Sequence, residues 1–169
     1  MEIFTSLLDE SLEAWRLVRR DLIDELENIP ADQIDFRPVP EMRSVKRVVQ
    51  HVLEVALMMT GELTRPDTDF RREAWPELLR SYAAHIGQAN SKEQLLELLS
   101  SSIAESERQF RKFGEVMMLQ LVTRFDGKEG TKLAWLHHGI SHESYHTGQL
   151  TAYERQLGLV PALTQKIGF

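Results

Sequence analysis

Residues 131–161 read TKLAWLHHGISHESYHTGQLTAYERQLGLVP. No proline interrupts this stretch before Pro161, and Gly158 stands where a helix C-terminus takes a left-handed residue, so the segment predicts one long helix from about Thr131 to Leu157. A helix of that length needs partners to cover its apolar positions. Working back towards the N-terminus, three more segments supply them.

Residues 3–28 place Leu7, Leu8, Leu12, Trp15, Val18, Leu22 and Leu26 three or four apart, an amphipathic helical spacing that Pro30 ends. Phe36-Arg37-Pro38-Val39-Pro40 is a connecting loop, because each proline lacks an amide donor and pushes its predecessor towards extended backbone. Ser44 caps a second helix carrying Val45, Val48, Val49, Val52, Val55, Ala56 and Met59, with His51 at the border of the stripe. Trp75-Pro76 opens a shorter helix towards His85. Ser91 with Gln94 reads as a capping box for another long helix bearing Leu95, Leu98, Leu99, Ile103 and Phe110. The form of residues 114–130 stays open between a short helix and a loop, with turn residues at Asp126-Gly127 and Gly130. The expectation is an all-α fold: a four-helix bundle with long crossover connections and a short extra helix, residues 1–169 forming one domain.

The totals narrow the chemistry. The chain has no cysteine, so a metal site must use imidazole, carboxylate, amide or water, and a reducing cytoplasm is the expected compartment. The longest apolar run is Val55 to Met59, and the first five residues lack a basic segment leading into an apolar one, so neither a membrane span nor an export signal is expected. A net charge of −6 disfavours nucleic acid as a partner. The pairs Arg19-Arg20 and Arg71-Arg72 are read as solvated residues.

Four of the six histidines, His137, His138, His142 and His146, fall within the last long helix, where histidine is a mediocre helix former. His142 and His146, four apart, lie one turn above each other and can aim both imidazoles at one point. His51, from another helix, is the best third candidate. His85 is less favoured, and His138 would stretch a three-ligand set over two turns of one helix. The competing reading is a set of core or surface histidines satisfied by hydrogen bonds. The segment His142-Glu143-Ser144-Tyr145-His146 also spells the HExxH pattern of zinc peptidases. Those enzymes take a third ligand well downstream, whereas here only Glu154 follows, on the same helix, so Glu143 is read as a solvated carboxylate or one supporting a ligand.

These residues resemble the DinB/YfiT-like superfamily of small helical-bundle proteins. The resemblance rests on His142-Glu143, His146-Thr147-Gly148-Gln149, Tyr153, Arg155, Leu157, Gly158 and Pro161, and upstream on Phe36 to Pro40, Ser44-Val45 and His51. Thr147 and Tyr145 stand where the family often carries a basic residue and a further histidine. The resemblance implies a four-helix bundle, often a homodimer, with His51, His142 and His146 binding a divalent ion, nickel or zinc foremost and iron or manganese as further candidates. It also implies a small-molecule substrate and, as in some relatives, transfer or use of a low-molecular-weight thiol.

Three neutral imidazoles leave the ion its full charge, so an open position favours an anionic ligand such as a thiolate. His138, Tyr145, Gln149 and Tyr153 are candidates to line the site. The catalytic residues are not assigned by the sequence. The alternatives to thiol transfer are metal-dependent hydrolysis of a small ester or amide, and a metal-binding or interaction module without turnover.

Overall fold

The computed structural model describes residues 4–168. Four long helices form the bundle: α1 (Leu7–Asn28), α2 (Val45–Leu63), α4 (Lys92–Phe113) and α6 (Lys132–Gln156). Between them lie the shorter α3 (Trp75–Ala83) and α5 (Glu115–Met118), and α7 (Ala162–Ile167) follows α6. Helices α1 and α2 each pack against both α4 and α6, which puts them diagonally across the bundle and makes the α1–α2 connection a crossover. No described helix is long and apolar enough to cross a membrane.

The helix ends follow local chemistry. The hydroxyls of Ser6, Ser44, Ser91 and Thr131 each accept from a backbone amide three residues on, satisfying a donor that has no partner within the helix. Ser91 and Gln94 form the full capping box. Gly158, at φ 77°, takes the left-handed conformation after α6 that a side chain would resist. The first helix begins at Leu7 rather than at residue 3 because Ser6 caps it; Ile3 lies outside the described residues. Leu7, counted with the apolar stripe, is exposed.

Residues 114–131 hold what helical periodicity could not decide. After α5, strand β1 (Leu121–Thr123) pairs antiparallel with β2 (Glu129–Thr131), Val122 opposite Gly130. Val122 alone of β1 is buried, and Gly127 turns the chain at φ 79°. Three residues per strand are too few to display a period of two.

The core divides into two apolar halves. One gathers Leu12, Trp15, Met58, Phe110 and Leu136; the other gathers Leu22, Leu26, Val49, Leu53, Leu99 and Leu150. Between Trp15 and Leu22 on α1 sits Arg19, and between Ile140 and Leu150 on α6 sit Glu143 and His146, all buried. A polar layer therefore crosses the middle of the bundle, and it positions the site.

Candidate metal centre

The polar layer starts with an ion pair. Arg19 of α1 donates from Nε and a terminal nitrogen to both carboxylate oxygens of Glu143, and the Trp15 indole donates to Glu143 Oε2 at 2.9 Å. The remaining terminal nitrogen of Arg19 donates to the Leu99 carbonyl at 2.8 Å and to Ser102 Oγ at 3.0 Å. Two charges this deeply buried persist only when paired and hydrogen-bonded on all sides, as these are. Two expectations are thereby corrected. Arg19 is not solvated, because its place on the apolar face of α1 carries it inward, and of the two readings of Glu143 the solvated one is excluded, because the carboxylate is buried and points at α1. Arg20, its neighbour, is exposed.

One residue earlier on α6, about 100° round the helix, the direction changes. His142 Nε2 lies 3.2 Å from His51 Nε2 of α2 and 3.2 Å from His146 Nε2. The three ligand atoms all fall within 4.8 Å of one another, and no other histidine or carboxylate joins them among the described residues. The third histidine, His51, is thus brought to the pair by the packing of α2 on α6.

A hydrogen-bond relay sets the direction of one donor. The Arg43 carbonyl, which can only accept, takes the Tyr153 hydroxyl proton at 2.9 Å. Tyr153 oxygen therefore accepts from Gln149 Nε2 at 2.7 Å, leaving Gln149 Oε1 to accept from His146 Nδ1 at 2.9 Å. His146 then carries its proton on Nδ1, and its Nε2 lone pair faces His142. This is the arrangement by which a metal-binding imidazole is oriented and made more basic.

The donor set fits a divalent ion. Each neutral imidazole has one N–H, so three ring nitrogens turned on one point cannot satisfy each other as hydrogen-bond partners. A cation accepts all three lone pairs. Zinc–nitrogen bonds of about 2.0–2.1 Å at tetrahedral angles place ligand nitrogens about 3.3 Å apart, close to the two 3.2 Å separations here. Protonation is opposed at the same point: burial above all, then the Arg43 charge, lowers His51 to a pKa of about 3. Burial and then the charge of His146 lower His142 to about 4. His146 is lowered too, by burial first. The rings are neutral and ready to ligate at physiological pH.

The other candidates divide. Gln149 and Tyr153 belong to the relay. Tyr145 is 73 % exposed, with its ring 5.2 Å from that of His146. His138 stacks on Trp135 at 4.4 Å, outside the cluster. His85 precedes a short 3-10 turn at Ile86–Gln88 and His137 contacts Ser11 Oγ, both apart from the cluster. The residues missed by the sequence reading are Trp15, Arg19 and Arg43. For Arg19 a signal existed: the positions 15, 19, 22 and 26 form one helical stripe, and arginine occupies a place where an apolar residue belongs.

Fold and site together define a helical bundle with a three-histidine cluster suited to a divalent metal ion. The DinB family model matches residues 1–168, and the chain belongs to the DinB family. Among solved structures it is similar to a DinB-like protein from Bacillus subtilis, with 19 % identity, a TM-score of 0.66, and 88 % of this chain and 92 % of that one covered. It is also similar to YfiT from Bacillus subtilis, described as a probable metal-dependent hydrolase with an unusual four-helix bundle topology. That match has 17 % identity and a TM-score of 0.67 and covers 94 % and 91 % of the two chains. A third similarity is to a mycothiol-dependent maleylpyruvate isomerase, with 17 % identity, a TM-score of 0.68, and 86 % of this chain against 61 % of that longer one. At these identities the likeness is one of fold. No curated protein matches the chain.

Proposed function

We propose that this chain is a metal-dependent enzyme that holds a divalent ion, nickel or zinc foremost, on His51, His142 and His146 and transfers a low-molecular-weight thiol to an electrophilic small molecule. The observation that carries the proposal is the convergence of three imidazole nitrogens with no fourth histidine and no carboxylate joining them among the described residues. Structural zinc sites are closed by four protein ligands, whereas reactive sites keep a position open. A bound divalent ion would supply the positive charge that keeps a thiol ionised. The chain's own part is to hold three neutral donors in place and to fix one of them through Gln149 and Tyr153.

Thiol chemistry also suits what surrounds the cluster. Hydrolysis through an activated water ordinarily uses a general base, and the nearest carboxylate in sequence, Glu143, is occupied by Arg19 and Trp15. The peptidase reading of the HExxH pattern loses its base for the same reason. Hydrolysis of a small ester or amide remains the second reading, supported by the similarity to YfiT. The absence of cysteine and the negative charge support a cytoplasmic protein without a nucleic-acid partner. We further propose a homodimer, which light scattering tests directly.

Metal content of protein prepared without a histidine tag tests the site. About one ion per chain is expected in the native protein and little in His51→Ala or His146→Ala. Full occupancy of both variants would end the proposal. A panel of bacterial thiols with a chloro-dinitroarene tests the reaction: a metal-dependent rate with at least one thiol is expected, and hydrolysis of small esters without any thiol dependence would favour the second reading.

A further inference from the structure

The Tyr145 ring, 5.2 Å from that of His146 and edge-to-face with it at 79°, is in contact with one of the three candidate ligands. His146 is buried while Tyr145 is largely exposed, so the tyrosine covers that ligand from the solvent side. Three residues after His142, Tyr145 also shares the helix face of the second ligand on α6. It stands at the outer rim of the metal centre.

A single exposed aromatic on a helix is ordinary. This one differs in how little covers its ring. The positions one turn to either side are Ser141 and Gly148, both exposed, and nothing lies within 4 Å of where a side chain on Gly148 would begin. Among the described residues no hydrogen bond engages the Tyr145 hydroxyl. His138, one turn before His142, stacks on Trp135 at 4.4 Å and 20°, towards the N-terminal end of α6 and away from the cluster. Between His138 and Tyr145, a span of about 10 Å along the helix, the exposed residues of α6 are Ser141 and Ser144, both small.

The core side offers a ligand little room. A cavity beside His142, lined by Val52, Val55, Ala56, Met59 and Leu136, has space of about 10 Å³, enough for one water. A molecule that reaches the open metal position therefore comes from the solvent side, where the uncovered ring stands. An aromatic ring attracts a second π-system in stacked or edge-on geometry beyond the gain from burying apolar area, which a saturated ring of the same size does not receive.

We propose that Tyr145 is a specificity-determining residue of this centre and that the open face of its ring takes a planar, π-bonded group held beside the metal. The inference rests on the three-histidine site proposed above and deepens it by naming the substrate class: an aromatic or conjugated electrophile rather than a saturated one.

Cobalt-substituted protein provides a test independent of turnover, because hydroxamates bind divalent ions and change the visible spectrum of cobalt. Two probes with the same donor group are titrated, benzohydroxamate and its saturated analogue cyclohexanecarbohydroxamate. The ratio of their affinities in the wild type, divided by that in each variant, removes the intrinsic difference between the probes. Tyr145→Ala should keep its cobalt and lower the preference for the planar probe by about threefold to tenfold, the scale of an aromatic pair. Tyr145→Phe should retain the wild-type preference. An equal ratio in the wild type and Tyr145→Ala would overturn the inference and leave the histidine site standing. A loss in Tyr145→Phe as large as in Tyr145→Ala would assign the effect to the hydroxyl and overturn stacking. Neither probe changing the cobalt spectrum would show the coordination position closed and overturn it as well. Failure of the wild type to hold cobalt, or its retention by His51→Ala, would overturn the site itself and this inference with it.

Discussion

At the scale of single residues, the protonation state of the cluster is set by burial. A histidine whose folded pKa lies below its ordinary value near 6.5 is protonated more readily in the unfolded chain. Stability of the metal-free protein that depends on neutral His51 and His142 is therefore present above about pH 6.5 and is lost as the pH falls towards their folded values of about 3 and 4. Histidine proton resonances of the metal-free protein should show no titration of these two rings between pH 8 and about 5.5, and a midpoint above 6 for either would contradict the arrangement. The relay gives a second expectation. Gln149→Ala removes the acceptor of His146 Nδ1, so metal affinity, measured by competition with a chelating dye, should fall by about 10–100-fold. The thermal midpoint should move little, since Gln149 is only half-buried.

At the scale of elements, α1 and α6 are joined through charges rather than through apolar packing alone. Removing one partner strands the other in the core, so Arg19→Ala should cost about 3–5 kcal/mol in urea unfolding. Replacing both partners with apolar residues of similar size, Arg19→Met with Glu143→Leu, should recover most of that loss, because the desolvation of both charges disappears with them. Equal losses in the single and double variants would mean that the pair matters chiefly by its shape. The same layer explains why α6 shows so little amphipathic contrast in its sequence. It buries Glu143, His146 and Glu154 beside Leu136 and Leu150, and polar residues face inward as well as outward.

At the scale of the whole molecule, the chain closes through a carboxyl pair. Glu25 of α1 accepts from the amides of Ala162 and Leu163 at the start of α7, at 2.7 and 3.2 Å. Glu154 of α6 lies against it, fully buried and bonded to Asn28 at 2.6 Å. Burial first, then the nearby Glu25, raises Glu154 to a pKa of about 8. The protonated form of Glu154 is thus the one the fold favours. Its contribution is complete below the ordinary carboxyl value of about 4.5 and is lost as the pH rises through about 8. This slope is opposite in sign to that of the histidines. Glu154→Gln, which keeps a neutral group of the same size, should flatten the stability profile between pH 6 and 9, as measured by urea unfolding at each pH. An unchanged slope would show that Glu154 does not hold a proton in the folded chain.

Much of the bundle was legible along the chain because helices advertise themselves locally. The stripe from Leu8 to Leu26, Ser44 before Val45, the Ser91–Gln94 box and the Gly158–Pro161 stop depend on neighbours within a few positions, and the helix ends fall close to them. The spacing of His142 and His146 was equally local. The hairpin at residues 121–131 was not legible, because strands of three residues carry no period and gain their partners only on pairing. Residue chemistry and spacing by themselves determined four long helices and a two-histidine clamp. Only the tertiary structure decided that His51 meets that clamp and that Glu143 turns away to Arg19. Each of these depends on helices far apart in sequence packing face to face, and the direction a side chain takes across such a contact is set by the partner helix rather than by its own neighbours.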